Sequence, residues 1–288
     1  MTDETTLATF AQGRRKAQKL RRASLVGEIV ALTVYILVYW FEPLPPPWND
    51  WIFYAFILVA AWLAAIMGTL AWWQYAPGDP PRRMWGFFAA GFWAWAVGEL
   101  VWLILRPFYA EFPEVFVTDL LWSIAYIAFA AAVFEQYRLI YRPNRHEQRA
   151  GLMLLAAGML LAPLALAVLL QRLGIGIEYS LLGLFLWVLY PIGDLVVGLS
   201  GVHFSRLFGR GLLGRAWWGL VAFAISDGIS TWYGLGGSAL LTEQQDLLLS
   251  LLTDTLYFGA YVLVARACLL QYLLLKYGPP AAPEGDDS

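Results

Sequence analysis

Residues 118–137 read TDLLWSIAYIAFAAAVFEQY and residues 253–272 read TDTLYFGAYVLVARACLLQY, two stretches that align without a gap. Thr-Asp opens both (Thr118 and Asp119; Thr253 and Asp254). An aromatic residue follows three positions after the aspartate (Trp122, Tyr257) and a tyrosine seven after (Tyr126, Tyr261). Gln-Tyr closes each (Gln136 and Tyr137; Gln271 and Tyr272). Each stretch is about 20 residues long, enough to cross a hydrocarbon core of roughly 30 Å. In lipid such a segment must be helical, because each backbone N–H and C=O has to be bonded within it. On a helix the aspartate, the aromatic residue and the tyrosine share one face.

The rest of the chain follows the same pattern. Of 288 residues, 60% are hydrophobic and 14% charged, against about half and a quarter in an average soluble domain. The apolar residues fall in blocks at 25–41, 51–74, 85–105, 117–137, 151–171, 179–201, 216–235 and 248–275. The connections carry breakers: Pro43, Pro45, Pro46 and Pro47; Pro77, Gly78, Pro80 and Pro81; Gly236 and Gly237. Trp40, Trp48, Trp51, Trp72, Trp73, Trp85, Trp217, Trp218 and Tyr272 stand at block ends, where amphipathic rings meet lipid headgroups. A soluble helical protein would need polar faces on these blocks, and a β-barrel would show shorter alternating segments. The expectation is an all-α, polytopic integral membrane protein of eight transmembrane helices.

Charge sets the direction. Arg14, Arg15, Lys16, Lys19, Arg21 and Arg22 precede the first block, and Arg82, Arg83, Arg138, Arg142, Arg145, Arg149, Arg206, Arg210 and Arg215 fall in even-numbered connections. The opposite side has Arg106 and Arg172. By the positive-inside rule both ends are expected in the cytoplasm. The N-terminal basic run is foremost a topology signal, with anionic headgroups as a further partner. Residues 1–24 read as a basic cytoplasmic segment without an apolar h-region, so no cleaved signal is expected. Residues 25–141 and 142–277 read as two four-helix halves, and 278–288 as a disordered Pro-rich, acidic tail. The preceding helices also correspond: AGFWAWAVGELVW carries Glu99 and LVAFAISDGISTW carries Asp227. An even number of crossings per half makes the repeats parallel.

Carboxylates within a bilayer are costly and mark sites. Glu99, Asp119, Asp227 and Asp254 are expected in the outer half, and Asp194 on the cytoplasmic side of the sixth helix. Their neighbours Trp122, Tyr126, Tyr190, Tyr257 and Tyr261 complete a candidate ligand-binding or proton-responsive set. It would line a polar cavity facing the periplasm and take a small or amphipathic ligand. The competing reading is that these carboxyls bond to Tyr, Trp and Ser and hold helices together. Glu28, near the cytoplasmic end of the first helix, is expected to snorkel. The single Cys268 reads as a core residue. His146 and His203 are too few and misplaced for haem or a metal site. No catalytic constellation, metal set, cofactor motif or nucleic-acid-binding surface is legible. No mid-membrane lysine exists for a retinal Schiff base.

Four stretches carry a resemblance: Tyr190-Pro191-Ile192-Gly193-Asp194-Leu195; Arg215 with the helix reaching Ser226 and Asp227; Thr253 and Asp254 with Tyr261 and Val262; and Asp119-Leu120-Leu121-Trp122 with Ala125 and Tyr126. Over residues 80–275 they resemble the multi-helix membrane domains found N-terminal to bacterial GGDEF diguanylate cyclases and sensor kinases. The resemblance implies a membrane-embedded sensory module for signal transduction. Those proteins continue into a cytoplasmic output domain, whereas this chain stops soon after its last block. The expectation is a stand-alone module acting through a separate signalling or membrane-complex partner. A secondary transporter or proton-coupled carrier is the alternative; a lipid-modifying enzyme and a structural subunit rank lower.

Overall fold

The computed structural model describes residues 2–45, 48–109, 113–174, 179–209, 211–234 and 237–279. Among them are eight long helices and no strand. These are α1 (Thr2–Phe41), α2 (Trp48–Trp73), α3 (Pro80–Leu105), α4 (Val117–Tyr141), α5 (Arg145–Arg172), α6 (Leu181–Phe208), α7 (Leu212–Gly234) and α8 (Glu243–Tyr277).

The ends of the helices follow local chemistry. Pro80 and Pro81 open α3, where a missing N–H costs nothing. Asn144 caps α5: its Oδ1 accepts the N–H groups of His146 at 3.0 Å and Glu147 at 2.9 Å, while Glu147 Oε2 accepts Asn144 N–H at 2.8 Å. Ser180 caps α6 through Gly183 N–H at 3.1 Å. α5 widens to a π-turn at Ala157–Leu161 just ahead of Pro163, whose absent N–H breaks the regular ladder. α6 runs through Pro191 without ending.

Two boundaries differ from the sequence expectation. Residues 2–24, expected ahead of a first helix that opens near residue 25, are the first part of α1. They are rich in Ala, Leu, Gln, Lys and Arg, all strong helix formers, and the Arg21 guanidinium donates to the Gly278 carbonyl at 3.2 Å beyond the end of α8. α6 continues to Phe208 rather than stopping near 201. Most of the tail, residues 280–288, lies outside the described residues.

Seven helices, all but α7, are long and apolar enough to cross a membrane. α7 falls short of the expected eighth because Arg215, Ser226, Asp227, Ser230 and Thr231 dilute its apolar character.

Six helices close a ring in the order α2, α3, α4, α6, α7, α8, with α8 returning to α2. α1 lies outside against α8 and α2, and α5 outside against α6 and α4. Exchanging α1–α4 for α5–α8 maps every one of these helix pairs onto another, although α4 meets α6 over a shorter stretch than α2 meets α8. Alanines make close approach possible: Ala60, Ala61, Ala64, Ala65 and Ala71 are the buried face of α2. The two outer helices leave large apolar surface open, with Val26, Ile29 and Val30 of α1 and Met153, Leu154 and Leu161 of α5 more than half exposed.

One ion pair fixes α1 to the ring. Arg266 Nη1 of α8 lies 2.8 Å from Glu28 Oε2, and each side chain is 14% exposed. Glu28 is thus held sideways by an arginine rather than snorkelling outward. Breaking such a pair leaves an uncompensated charge, at a cost of about 3 kcal/mol. Glu28→Gln is therefore expected to lower the thermal unfolding midpoint in detergent, and adding Arg266→Gln to recover most of the loss. Equal melting of the wild type and both variants would remove the pair from the fold's energetics.

Candidate functional site

The polar residues of the ring interior meet at aromatic hydroxyls. Tyr126 of α4 is 1% exposed. Its Oη lies 2.6 Å from Asp194 Oδ1 of α6 and 2.8 Å from Asp227 Oδ2 of α7. One side chain therefore ties three helices across the seam between the two halves of the chain. Gly193 makes the approach possible, since a Cβ there would sit 2.5 Å from the Tyr126 ring.

A phenol has one proton to give. With both carboxyls ionised, one of them would face a lone pair on the tyrosine oxygen. A second proton held by the Asp194–Asp227 pair removes the conflict. Asp194 Oδ2 is buried and has no hydrogen-bond donor among the described residues, so it is an oxygen on which that proton can sit.

A second centre lies around Glu99 of α3. Its Oε1 accepts from Tyr257 Oη of α8, from Trp95 Nε1 at 3.2 Å and, at the limit, from Tyr261 Oη at 3.5 Å. Trp95 Nε1 also lies 2.8 Å from Tyr257 Oη, and Tyr261 Oη 3.0 Å from it. Between the two centres Trp95 and Phe223 meet edge to face at 4.5 Å. Trp95 precedes Glu99 by four residues and Phe223 precedes Asp227 by four. Tyr126 and Tyr261 hold matching places in the two aligned stretches. Each reaches the carboxylate on the third helix of the opposite half.

The remaining candidates are placed separately. Tyr190 of α6 donates to Asp119 Oδ1 at 2.6 Å, and Asp119 Oδ2 accepts Phe116 N–H at 2.6 Å. Asp119 thus closes the first turn of α4 and clamps α6. The Trp122 ring lies 6.1 Å from that of Trp95 at a tilt of 32°, with its Nε1 buried and unpartnered among the described residues. Asp254 stands apart beside Tyr39 of α1, and Tyr39 Oη bonds Ser250 Oγ at 2.9 Å. Thr253, next to it, accepts Ser226 Oγ on its carbonyl at 2.8 Å.

Two features of the sequence expectation are corrected by this geometry. Asp194 does not lie apart from the other carboxylates: the longer α6 puts it at the middle of a 28-residue helix, where it shares the Tyr126 hydroxyl with Asp227. Asp254 does not join the other carboxylates, because its face of α8 turns to α1. Trp95, Phe223 and Arg266 are participants that the sequence did not single out. The i,i+4 spacing of Trp95 to Glu99 and of Phe223 to Asp227 was the available signal.

Among the cavities lined by described residues are four of about 980, 390, 330 and 280 Å³. None of the four is lined by Glu99, Asp119, Asp194, Asp227 or Asp254. Among the described residues no group of three His, Cys, Asp or Glu could hold a metal ion, and Cys268 is a buried free thiol.

Removing the bridging hydroxyl leaves two carboxyls without their common partner. Tyr126→Phe is expected to cost about 1–3 kcal/mol, measured by chemical unfolding in detergent. The matching Tyr261→Phe should cost less, because its contact with Glu99 is longer and Tyr257 and Trp95 remain. A larger loss for Tyr261→Phe would contradict this reading of the network.

No family model, curated protein or solved structure matches the chain.

Proposed function

We propose that the chain is an integral membrane protein of eight spans, built as two parallel four-helix halves with both ends in the cytoplasm. The exposed apolar faces of α1 and α5 support a lipid surround, since surface of that extent is unfavourable in water. The exchangeable order of helix contacts supports the repeat. The less apolar α7 is the eighth span, its polar residues screened by α6 and α8 on either side.

Within that frame the protein acts as a sensory module of the bacterial inner membrane, working through a separate signalling partner. The observation that carries this reading is the Tyr126 hydroxyl held between Asp194 and Asp227. Its bonds cross the seam between the halves, so any stimulus that changes the proton count or the ligand near the pair shifts one half against the other. The other titratable groups around it are Tyr190 with its partner Asp119 and, across the Trp95 and Phe223 layer, Glu99, Tyr257 and Tyr261. The same shared proton favours a second reading, a proton-coupled secondary transporter. Nothing in the network pairs a nucleophile with a base, and no enzymatic step is assigned.

The test uses spin labels at two exposed positions, Tyr137→Cys on α4 and Trp218→Cys on α7, in a Cys268→Ser background in lipid nanodiscs. The distance between them is expected to change between mildly acidic and mildly alkaline buffer, and to be fixed in Asp194→Asn/Asp227→Asn. A distance that ignores pH in the parent protein sinks the sensory reading. Proton uptake into dye-loaded proteoliposomes that vanishes in Asp227→Asn would replace it with the transporter.

A further inference from the structure

The largest of the four cavities lies far from the carboxylate network, at the ends of α2, α3 and α4 that carry the basic connections. It has a volume of about 980 Å³ and is lined by four arginines, Arg82, Arg83, Arg138 and Arg142. Topology alone would require positive charge on this side, but not four guanidinium groups around one hollow.

Two of the four are already committed. Arg82 donates to the Tyr75 carbonyl at 2.8 Å and lies 5.1 Å over the Trp72 ring. Arg138 is paired with Glu135 at 2.8 Å. Arg83 and Arg142 have no ion pair or side-chain hydrogen bond among the described residues. Asp79, the other acid on the wall, turns its carboxylate to Ala76 N–H at 2.7 Å. Four guanidinium groups against two carboxylates leave a net positive hollow. The N-terminus of α3 adds no free amide: Pro80 and Pro81 have none, and Arg82 N–H bonds the Asp79 carbonyl at 3.0 Å. An anion here is held by arginine side chains, whose fork geometry suits phosphate.

The second half of the argument is the apolar wall. Arg83, Phe87 and Ala90 stand at i, i+4 and i+7 on α3, a single exposed stripe that runs from charge to hydrocarbon. Leu139 of α4 faces the same hollow. A groove charged at its mouth and apolar along its length matches a phosphate with a chain attached.

We infer that this groove binds the phosphate group of an amphiphile, with Arg83 and Arg142 as the groups left free to receive it. The inference rests on the bilayer reading, which places these helix ends at headgroup level.

Delipidated full-length protein in neutral detergent would be titrated with short-chain phosphatidylglycerol, with phosphatidylcholine of the same chain length, and with inorganic phosphate. Each cation near an anionic lipid contributes about 1 kcal/mol. Phosphatidylglycerol is thus expected to bind on the order of 30-fold more weakly to Arg83→Gln/Arg142→Gln, with the ligand-free melting point unchanged. If inorganic phosphate binds alone with the same arginine dependence, the phosphate site stands and its source is a soluble ligand. Undiminished phosphatidylglycerol binding by the double variant, or equal binding of phosphatidylcholine by the wild type, overturns the site. Purification as a dispersed protein without detergent would refute the bilayer reading, yet leave arginine-dependent phosphate binding measurable.

Discussion

Two acidic side chains, Asp194 and Asp227, point at one hydroxyl in the interior of a helix ring, and the packing around them is arranged to permit it. Tyr126 can reach both only because α4 approaches α6 closely at Gly193. The seam between α4 and α6 is the shorter of the two that join the halves, so a polar tether there has more to hold than it would at α2 and α8. A hydroxyl–carboxyl bond in a site shielded from water is also costly to leave unmade. The same interaction closes the ring and, in the sensory role proposed for it, makes the closure sensitive to proton count.

Around that tether the remaining contacts are graded. Aromatic rings fill the space between the two carboxylate centres, with Trp95 and Phe223 at the meeting point and Tyr126, Tyr257 and Phe129 against them. Glu99 is surrounded by donors and reads as a fixed anchor. The Asp194–Asp227 pair, with one buried oxygen unpartnered, reads as the adjustable one. The outer helices α1 and α5 contribute little to this interior. α1 is attached chiefly through α8, with the Glu28 and Arg266 ion pair alongside the bonds of Arg21 to the Gly278 carbonyl and of Tyr39 to Ser250.

Apolar blocks of spanning length and their Pro- and Gly-marked breaks made the helices legible in the sequence. The twin Thr-Asp stretches made Tyr126 and Tyr261 stand out as equivalent. What could not be read was depth and facing. The position of Asp194 depended on where α6 ends, and nothing in the apolar run before Arg206 announced the extra turns. Asp254 matched Asp119 in sequence yet faces α1, because the outer helices sit differently on the ring. Trp95 was hidden among many tryptophans that read as interfacial, and Arg266 lay inside an otherwise apolar block where its partner, 238 positions away, could not be inferred.

The central claim is that Asp194 and Asp227 hold a proton in common under the Tyr126 hydroxyl. Infrared spectroscopy of the protein in lipid reads this directly through the carbonyl stretch of a protonated carboxyl group. The account predicts such a band at neutral pH, abolished or moved by either Asp194→Asn or Asp227→Asn and shifted by Tyr126→Phe. A spectrum with no such band, or a band indifferent to all three substitutions, would contradict it.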